Sequence, residues 1–232
     1  MNTNDKRLTL FAGHYGSGKT NIAVNYAMKL AREGKRVCIA DLDIVNPYFR
    51  TKDSEAELEA LGIHLVSPQY ANTNVDLPAL PAESYRLVQD RSSYGIMDIG
   101  GDDRGAYALG RYAAAIKAEG NYRMAFVVNC YRPLTTTVED TVQIMREIEA
   151  ACGIEFTSIV NNSNLGEETT AGTVLDSLDC VRRLSEAPGL EVWMHTAESS
   201  VAAALDDLDV MPMELQKKYF DLPREGVPIG IA

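Results

Sequence analysis

The chain has 232 residues, 46% of them hydrophobic, enough to bury one substantial core, and a single domain over residues 1–232 is expected. Its 33 Asp and Glu outnumber 22 Lys and Arg, giving a formal net charge of -11 with the basic residues scattered, so neither nucleic acid nor an anionic membrane is an expected partner. No segment approaches the ~20 consecutive apolar residues that span a bilayer, and Cys38, Cys130, Cys152 and Cys180 form no CxxC pair, so a cytoplasmic protein with reduced thiols is expected.

The first apolar run, residues 8–12, has the length of a buried strand and leads straight into Gly13-His14-Tyr15-Gly16-Ser17-Gly18-Lys19-Thr20. Behind it Ile22, Ala23, Tyr26, Ala27, Leu30 and Ala31 recur at helical spacing, predicting a helix that continues to Arg32. Strand, glycine loop and helix are the setting that the G-x-x-x-x-G-K-[ST] pattern requires. Gly13, Gly16 and Gly18 permit backbone conformations and close approach that a Cβ would block, so that amide N–H groups point at phosphate oxygens. The helix N-terminus adds its dipole. Lys19 places a charge between the β- and γ-phosphates of a nucleoside triphosphate, and the Thr20 hydroxyl ligates Mg²⁺.

The second run, 37–40, is followed by Asp41-Leu42-Asp43-Ile44-Val45-Asn46-Pro47. Two carboxylates at i and i+2 where a buried strand ends face one crevice. One is suited to a Mg²⁺-bound water and the other to orienting an attacking water. The competing reading is an Asx turn or helix cap ahead of Pro47. A third run, 63–66, carries His64, and the proline-containing residues 78–81 read as a connection.

The fourth run, 96–99, ends as Asp98-Ile99-Gly100-Gly101, the form of a Walker B strand, with Asp98 behind the magnesium and the glycines letting an amide reach the γ-phosphate. Asp102, Asp103 and Arg104 are expected in a solvated loop. Leu109, Ala113 and Ile116 then mark a helix, residues 124–128 a strand, and Val138, Val142, Met145 and Ile148 another helix. The intervening residues 131–137, Tyr-Arg-Pro-Leu-Thr-Thr-Thr, read either as an anion-binding loop beside the γ-phosphate or as a proline-led helix cap with a threonine hydroxyl accepting from first-turn amides, and the cap is preferred. Residues 156–160 form a strand ahead of Asn161 and Asn162. Val174, Leu178 and Val181 mark the next helix, and 191–194 the last strand, which His195 ends as a structural histidine.

Strands alternating with helices predict one doubly wound, mainly parallel α/β sheet covered by helices on both faces, with ligands beyond the carboxyl ends of its strands.

Together, the phosphate loop, the Asp41-x-Asp43 run with Asn46-Pro47, and the Asp98 strand ending in glycines resemble the MinD/ParA/CobQ branch of the SIMIBI class of P-loop proteins. The resemblance implies that residues 13–20 and Gly101 hold nucleotide, that Asp41 and Asp43 form a first switch and Asp98 with Gly101 a second, that Thr20, Asp43 and Asp98 serve the metal, and that Lys19, Asp41 and Asp43 act in catalysis. It also implies that Asn161 or Asn162 reads the base. Four departures stand out. His14 occupies the place where many members carry a lysine that reaches across a dimer, and Gly100 replaces the proline common after the Walker B acid. No CxxC exists for an iron–sulfur cluster, and residues 213–232, with Pro223 and Pro228, offer no basic amphipathic helix for a membrane.

The expected activity is that of a Mg²⁺-dependent ATPase of slow intrinsic turnover, switching on a protein partner and dimerising with ATP. ATP is preferred because the Asn-Lys-x-Asp motif of GTP-specific classes is absent. The alternative is an ATP-dependent small-molecule ligase of the cobyrinic acid diamide synthase or dethiobiotin synthetase type, although no Cys-His-Glu glutaminase arrangement is visible. A third reading is a regulatory nucleotide-binding module with negligible turnover.

Overall fold

The computed structural model describes residues 5–42, 51–66, 85–100, 103–135 and 137–214. Within them lie strands β1 (Leu8–Ala12), β2 (Val37–Leu42), β3 (His64–Val66), β4 (Tyr94–Ile99), β5 (Tyr122–Val128), β6 (Ser158–Asn161), β7 (Glu191–Glu198) and β8 (Val210–Met213). The helices are α1 (Lys19–Arg32), α2 (Glu55–Ala60), α3 (Arg86–Gln89), α4 (Asp103–Gly110), α5 (Ala113–Glu119), α6 (Val138–Cys152), α7 (Ala171–Glu186) and α8 (Ser199–Ala202). All eight strands pair in parallel, in the order β3-β2-β4-β1-β5-β6-β7-β8.

Strand alternation divides the core in two. On β1, Leu8, Leu10 and Ala12 face the layer that holds Leu109, Tyr112, Ile116, Met145, Ile148 and Leu184 from α4 to α7. Phe11 faces the opposite layer, built from α1 residues Ile22, Ala23, Tyr26, Ala27 and Leu30. β5 repeats the pattern, with Met124, Phe126 and Val128 on the first face and Ala125 and Val127 on the second. A strand apolar on both faces belongs in the middle of a two-sided sheet, which is why β1 reads as an apolar run interrupted only by the buried Thr9. Each such Leu, Ile or Phe contributes about 1.5–3 kcal/mol by leaving water. Phe11, Tyr26 and Trp193 pack as a ring cluster, with centroids 5.2–6.0 Å apart. They tie the middle of α1 to both β1 and β7.

The expected parallel sheet and its two helical layers are observed. Several strands run further than their apolar runs: β2 continues through Asp41 to Leu42, and β7 continues to Glu198. β8 follows β7, so His195 lies inside β7 rather than at the end of a last strand. The helical pattern at 109, 113 and 116 belongs to two helices, because Tyr112 N bonds Leu109 O at 2.9 Å in a turn that buries the Tyr112 ring. α4 begins at Asp103, so Asp103 and Arg104 open a helix and not a loop. The proline segments 78–81 and 223–228 lie outside the described residues.

Candidate functional site

β1 ends between β4 and β5, and the chain leaves it through Gly13 into the loop that opens α1. Gly13, at φ 150°, passes so close to β5 that a Cβ there would stand 2.5 Å from the Val127 carbonyl oxygen. Gly18 is the N-cap of α1 at φ 89°, with no side-chain cap, and the first turn carries no acidic residue. A first turn without a carboxylate of its own leaves the helix dipole to an outside anion. Lys19 Nζ donates to the His14 carbonyl at 3.2 Å, folding the ammonium back over the loop, and Ser17 N bonds the same carbonyl at 3.2 Å. His14 Nδ1 lies 2.9 Å from the Tyr15 carbonyl, and the Tyr15 ring is exposed.

Asp41 on β2 and Asp98 on β4 are directly paired neighbours. Alternation puts both on the α1 face, since Ala40, Leu42, Met97 and Ile99 occupy the other layer. Four polar residues are therefore buried about the start of α1: Lys19 (5% exposed), Thr20 (7%), Asp41 (4%) and Asp98 (0%). Thr51, in the 3₁₀ turn Thr51–Ser54, donates its hydroxyl to Asp98 Oδ2 at 3.2 Å. Asp43 and Gly101, expected as partners of this group, lie outside the described residues.

The two asparagines after β6 part company. Asn161 is buried, with its amide nitrogen donating to Ser177 Oγ (2.9 Å) and to His195 Nδ1 (3.1 Å) and its oxygen accepting from Ser163 N (3.1 Å). Asn162 turns toward the phosphate loop, donating to the Ser17 carbonyl at 2.7 Å and accepting from the Thr196 hydroxyl at 2.8 Å. It borders a cavity of about 560 Å³ that runs from Gly16, Lys19, Thr20 and Asn21 past Asn164 to Thr196 and Glu198. That volume lies in the usual range for a small-molecule or cofactor site.

Burial holds the His195 imidazole below its ordinary value, so it accepts from Asn161 as a neutral ring, which agrees with a structural histidine. Glu198 is held ionised by the Ser200 hydroxyl and amide as it caps α8. The Cys130 thiol, hydrogen-bonded to that of Cys180, is pushed up to about 12 by burial. The four cysteines are free thiols.

In residues 131–137 the preferred cap is observed. Thr137 Oγ1 accepts from Asp140 N and caps α6, while Arg132 reaches back to line the cavity beside Gly16. Thr51 had no local motif to announce it, since its partner Asp98 is distant in the chain.

The family model described as CbiA, the CobQ/CobB/MinD/ParA nucleotide binding domain, matches residues 8–171. The chain belongs to this family. No curated protein matches it. Among solved structures, it is similar to the signal recognition particle receptor FtsY from Elizabethkingia anophelis, at 19% identity and a TM-score of 0.50, covering 82% of this chain and 58% of that one. FtsY from Mycoplasma mycoides is 15% identical with a TM-score of 0.52, covering 82% and 59%. Chloroplast FtsY from Physcomitrella patens is 17% identical with a TM-score of 0.52, covering 83% and 58%. The chain thus spans under three fifths of the length of each, and the likeness is one of fold.

The CobQ/CobB/MinD/ParA match meets the resemblance read from the motifs. It makes the chain a P-loop nucleotide-binding domain. The matched span covers the phosphate loop, both buried aspartates, Arg132, Asn161 and Asn162, while β7 and β8, which complete the cavity with Thr196, Glu198 and Met213, follow it. Among the described residues, no helix is long and apolar enough to cross a membrane, and no cluster of three metal-ligating side chains occurs.

Proposed function

We propose that this chain is a Mg²⁺-dependent ATPase of slow intrinsic turnover that works as a nucleotide switch on a protein partner, associating with a second copy in its triphosphate state. The observation that carries the reading is a phosphate loop opening an uncapped α1, with Lys19 and Thr20 on the wall of a cavity large enough for a nucleoside and the paired, buried Asp41 and Asp98 on the α1 face of the sheet. Asn162, on the cavity wall beside the loop, is the better placed asparagine for a base contact, because Asn161 does not line the cavity.

A hydroxyl and buried carboxylates form the hard oxygen donor set that Mg²⁺ favours. In this reading Thr20, Asp98 and Asp43 would serve the metal, which would neutralise charge on the phosphates. Lys19 holds the β- and γ-phosphates. Asp41 or Asp43 orients the attacking water, and a Gly101 amide meets the γ-phosphate.

Calorimetric titration with ATP and GTP, with and without Mg²⁺, tests this on the wild type and Lys19→Ala. ATP should bind the wild type in a Mg²⁺-dependent way and lose most of its affinity in the variant. Equal ATP affinity in the two proteins would overturn the phosphate-loop reading, and tighter binding of GTP would overturn the choice of base.

A further inference from the structure

His14 leaves the loop without a lysine after its first glycine, yet a second cation stands over it from elsewhere in the same chain. Arg132 follows β5, whose end lies beside that of β1. Its guanidinium carbon is 3.6 Å, its Nε 3.7 Å and its Nη2 3.8 Å from where a Cβ on Gly16 would stand, and it lines the same cavity as Lys19 and Thr20.

The backbone beneath it is held from several sides. Arg132 N donates to Asn129 O (3.1 Å), and Thr135 N donates to Arg132 O (3.0 Å). Asn129 is fully buried, and its side-chain oxygen accepts from Tyr131 N and Asn164 N while its amide donates to Asn164 O. Tyr131 reaches α7 through its hydroxyl, which donates to Thr173 O at 2.7 Å. A loop fixed in this way presents its arginine without having to be ordered by a ligand, the preorganisation that makes an electrostatic contact effective in a transition state.

The guanidinium itself is uncommitted. Among the described residues Arg132 forms no ion pair and no side-chain hydrogen bond. Its five donors and the Lys19 ammonium line one cavity, so a second positive charge stands at the phosphate loop, where a bound anion offsets both.

We propose that Arg132 is a catalytic residue supplied in cis, contacting the terminal phosphate of the bound triphosphate from the β5–α6 loop of the same subunit. This rests on the nucleotide reading above. The contact strengthens as negative charge shifts between the γ-phosphate and the leaving oxygen, so Arg132 serves hydrolysis more than binding, as arginines that complete phosphoryl-transfer sites do.

The test compares wild type, Arg132→Ala, Arg132→Lys and Lys19→Ala. It uses a non-hydrolysable ATP analogue and ADP for affinity and single-turnover hydrolysis, with saturating enzyme in excess over ATP, for rate. Arg132 is exposed, so Arg132→Ala should melt with the wild type. Its hydrolysis rate should fall by about a hundredfold or more, with analogue affinity lowered about tenfold and ADP affinity nearly unchanged. Arg132→Lys should regain affinity but little rate, because an ammonium lacks the planar fork.

Mixing Arg132→Ala with Lys19→Ala decides between one subunit and two: no recovery of activity is expected, and recovery would overturn the cis assignment. Loss of ADP and analogue affinity in equal measure would overturn the contact with the terminal phosphate. If Lys19→Ala loses nucleotide while Arg132→Ala keeps wild-type affinity and rate, the nucleotide reading stands and the role of Arg132 falls. If Lys19→Ala binds like the wild type, the nucleotide reading itself falls.

Discussion

Gly13 and Thr196 hold the phosphate loop from its two sides. At Gly13 the backbone is at φ 150°, and an added Cβ would meet the Val127 carbonyl, part of a strand that cannot move aside. Gly13→Ala should therefore cost about 1–3 kcal/mol of stability in urea unfolding, and wild-type stability would show that β1 and β5 part easily. At Thr196, the hydroxyl satisfies buried Asn162, which itself holds the Ser17 carbonyl. Thr196→Val leaves that amide oxygen short of a donor, a loss of about 1–3 kcal/mol, and it should also weaken nucleotide binding because the loop is released. His195 gives a signed pH dependence. Burial lowers its folded value, so the unfolded chain takes up the proton first. Its contribution to stability is complete above the ordinary histidine value of about 6.5 and is lost as pH falls through the lower folded value. His195→Gln should flatten the stability difference between pH 7 and pH 5, which denaturation at the two pH values measures.

Secondary structure was most legible where a local signal and burial agreed. β1 and α1 met both conditions: an apolar run, three glycines and a helical stripe occur in immediate succession, and α1 ends at Arg32 as expected. β8 was missed because Val210-Met211-Pro212-Met213 contains a proline, a residue that a strand tolerates at the edge of a sheet, which is where β8 lies. The single helix expected through 109, 113 and 116 failed because the helical stripe continues in register across the Tyr112 turn, so periodicity alone cannot show the break. Thr51 and Thr196 were legible only once the sheet order was known, since each bonds a residue remote in sequence but adjacent at the carboxyl edge. Arg132, by contrast, lay in a segment already open to an anion-binding reading. The cap of α6 is a local device and was read as one: Thr137→Ala should cost about 1 kcal/mol in thermal or urea unfolding, with nucleotide affinity unchanged. A shift in affinity of tenfold or more would instead mean that the cap also positions Arg132.

At the scale of the molecule, the proposed switch predicts a nucleotide-dependent change of mass. Light scattering on Asp43→Ala, chosen to retain ATP unhydrolysed, should show a dimer with ATP and a monomer with ADP, because γ-phosphate contacts order segments that then form a new surface. A monomer in both states would favour the small-molecule ligase. The sheet order also bears on how the chain is made. Leu8 of β1 pairs with Gly95 of β4 and Tyr122 of β5, so the strand that carries the phosphate loop is made first and completed late. Its neighbours are non-local, and such pairings are slow to form because loop closure precedes any gain from contact. On the ribosome the nascent β1 and α1 must wait, apolar on both faces, until β4 and β5 have emerged. Nucleotide cannot assist the early steps of folding, since the Gly13 corner is shaped by Val127. Stalled chains released before β5 should be protease-sensitive with or without ATP, and protection by ATP should begin only in chains long enough to expose β5 outside the exit tunnel.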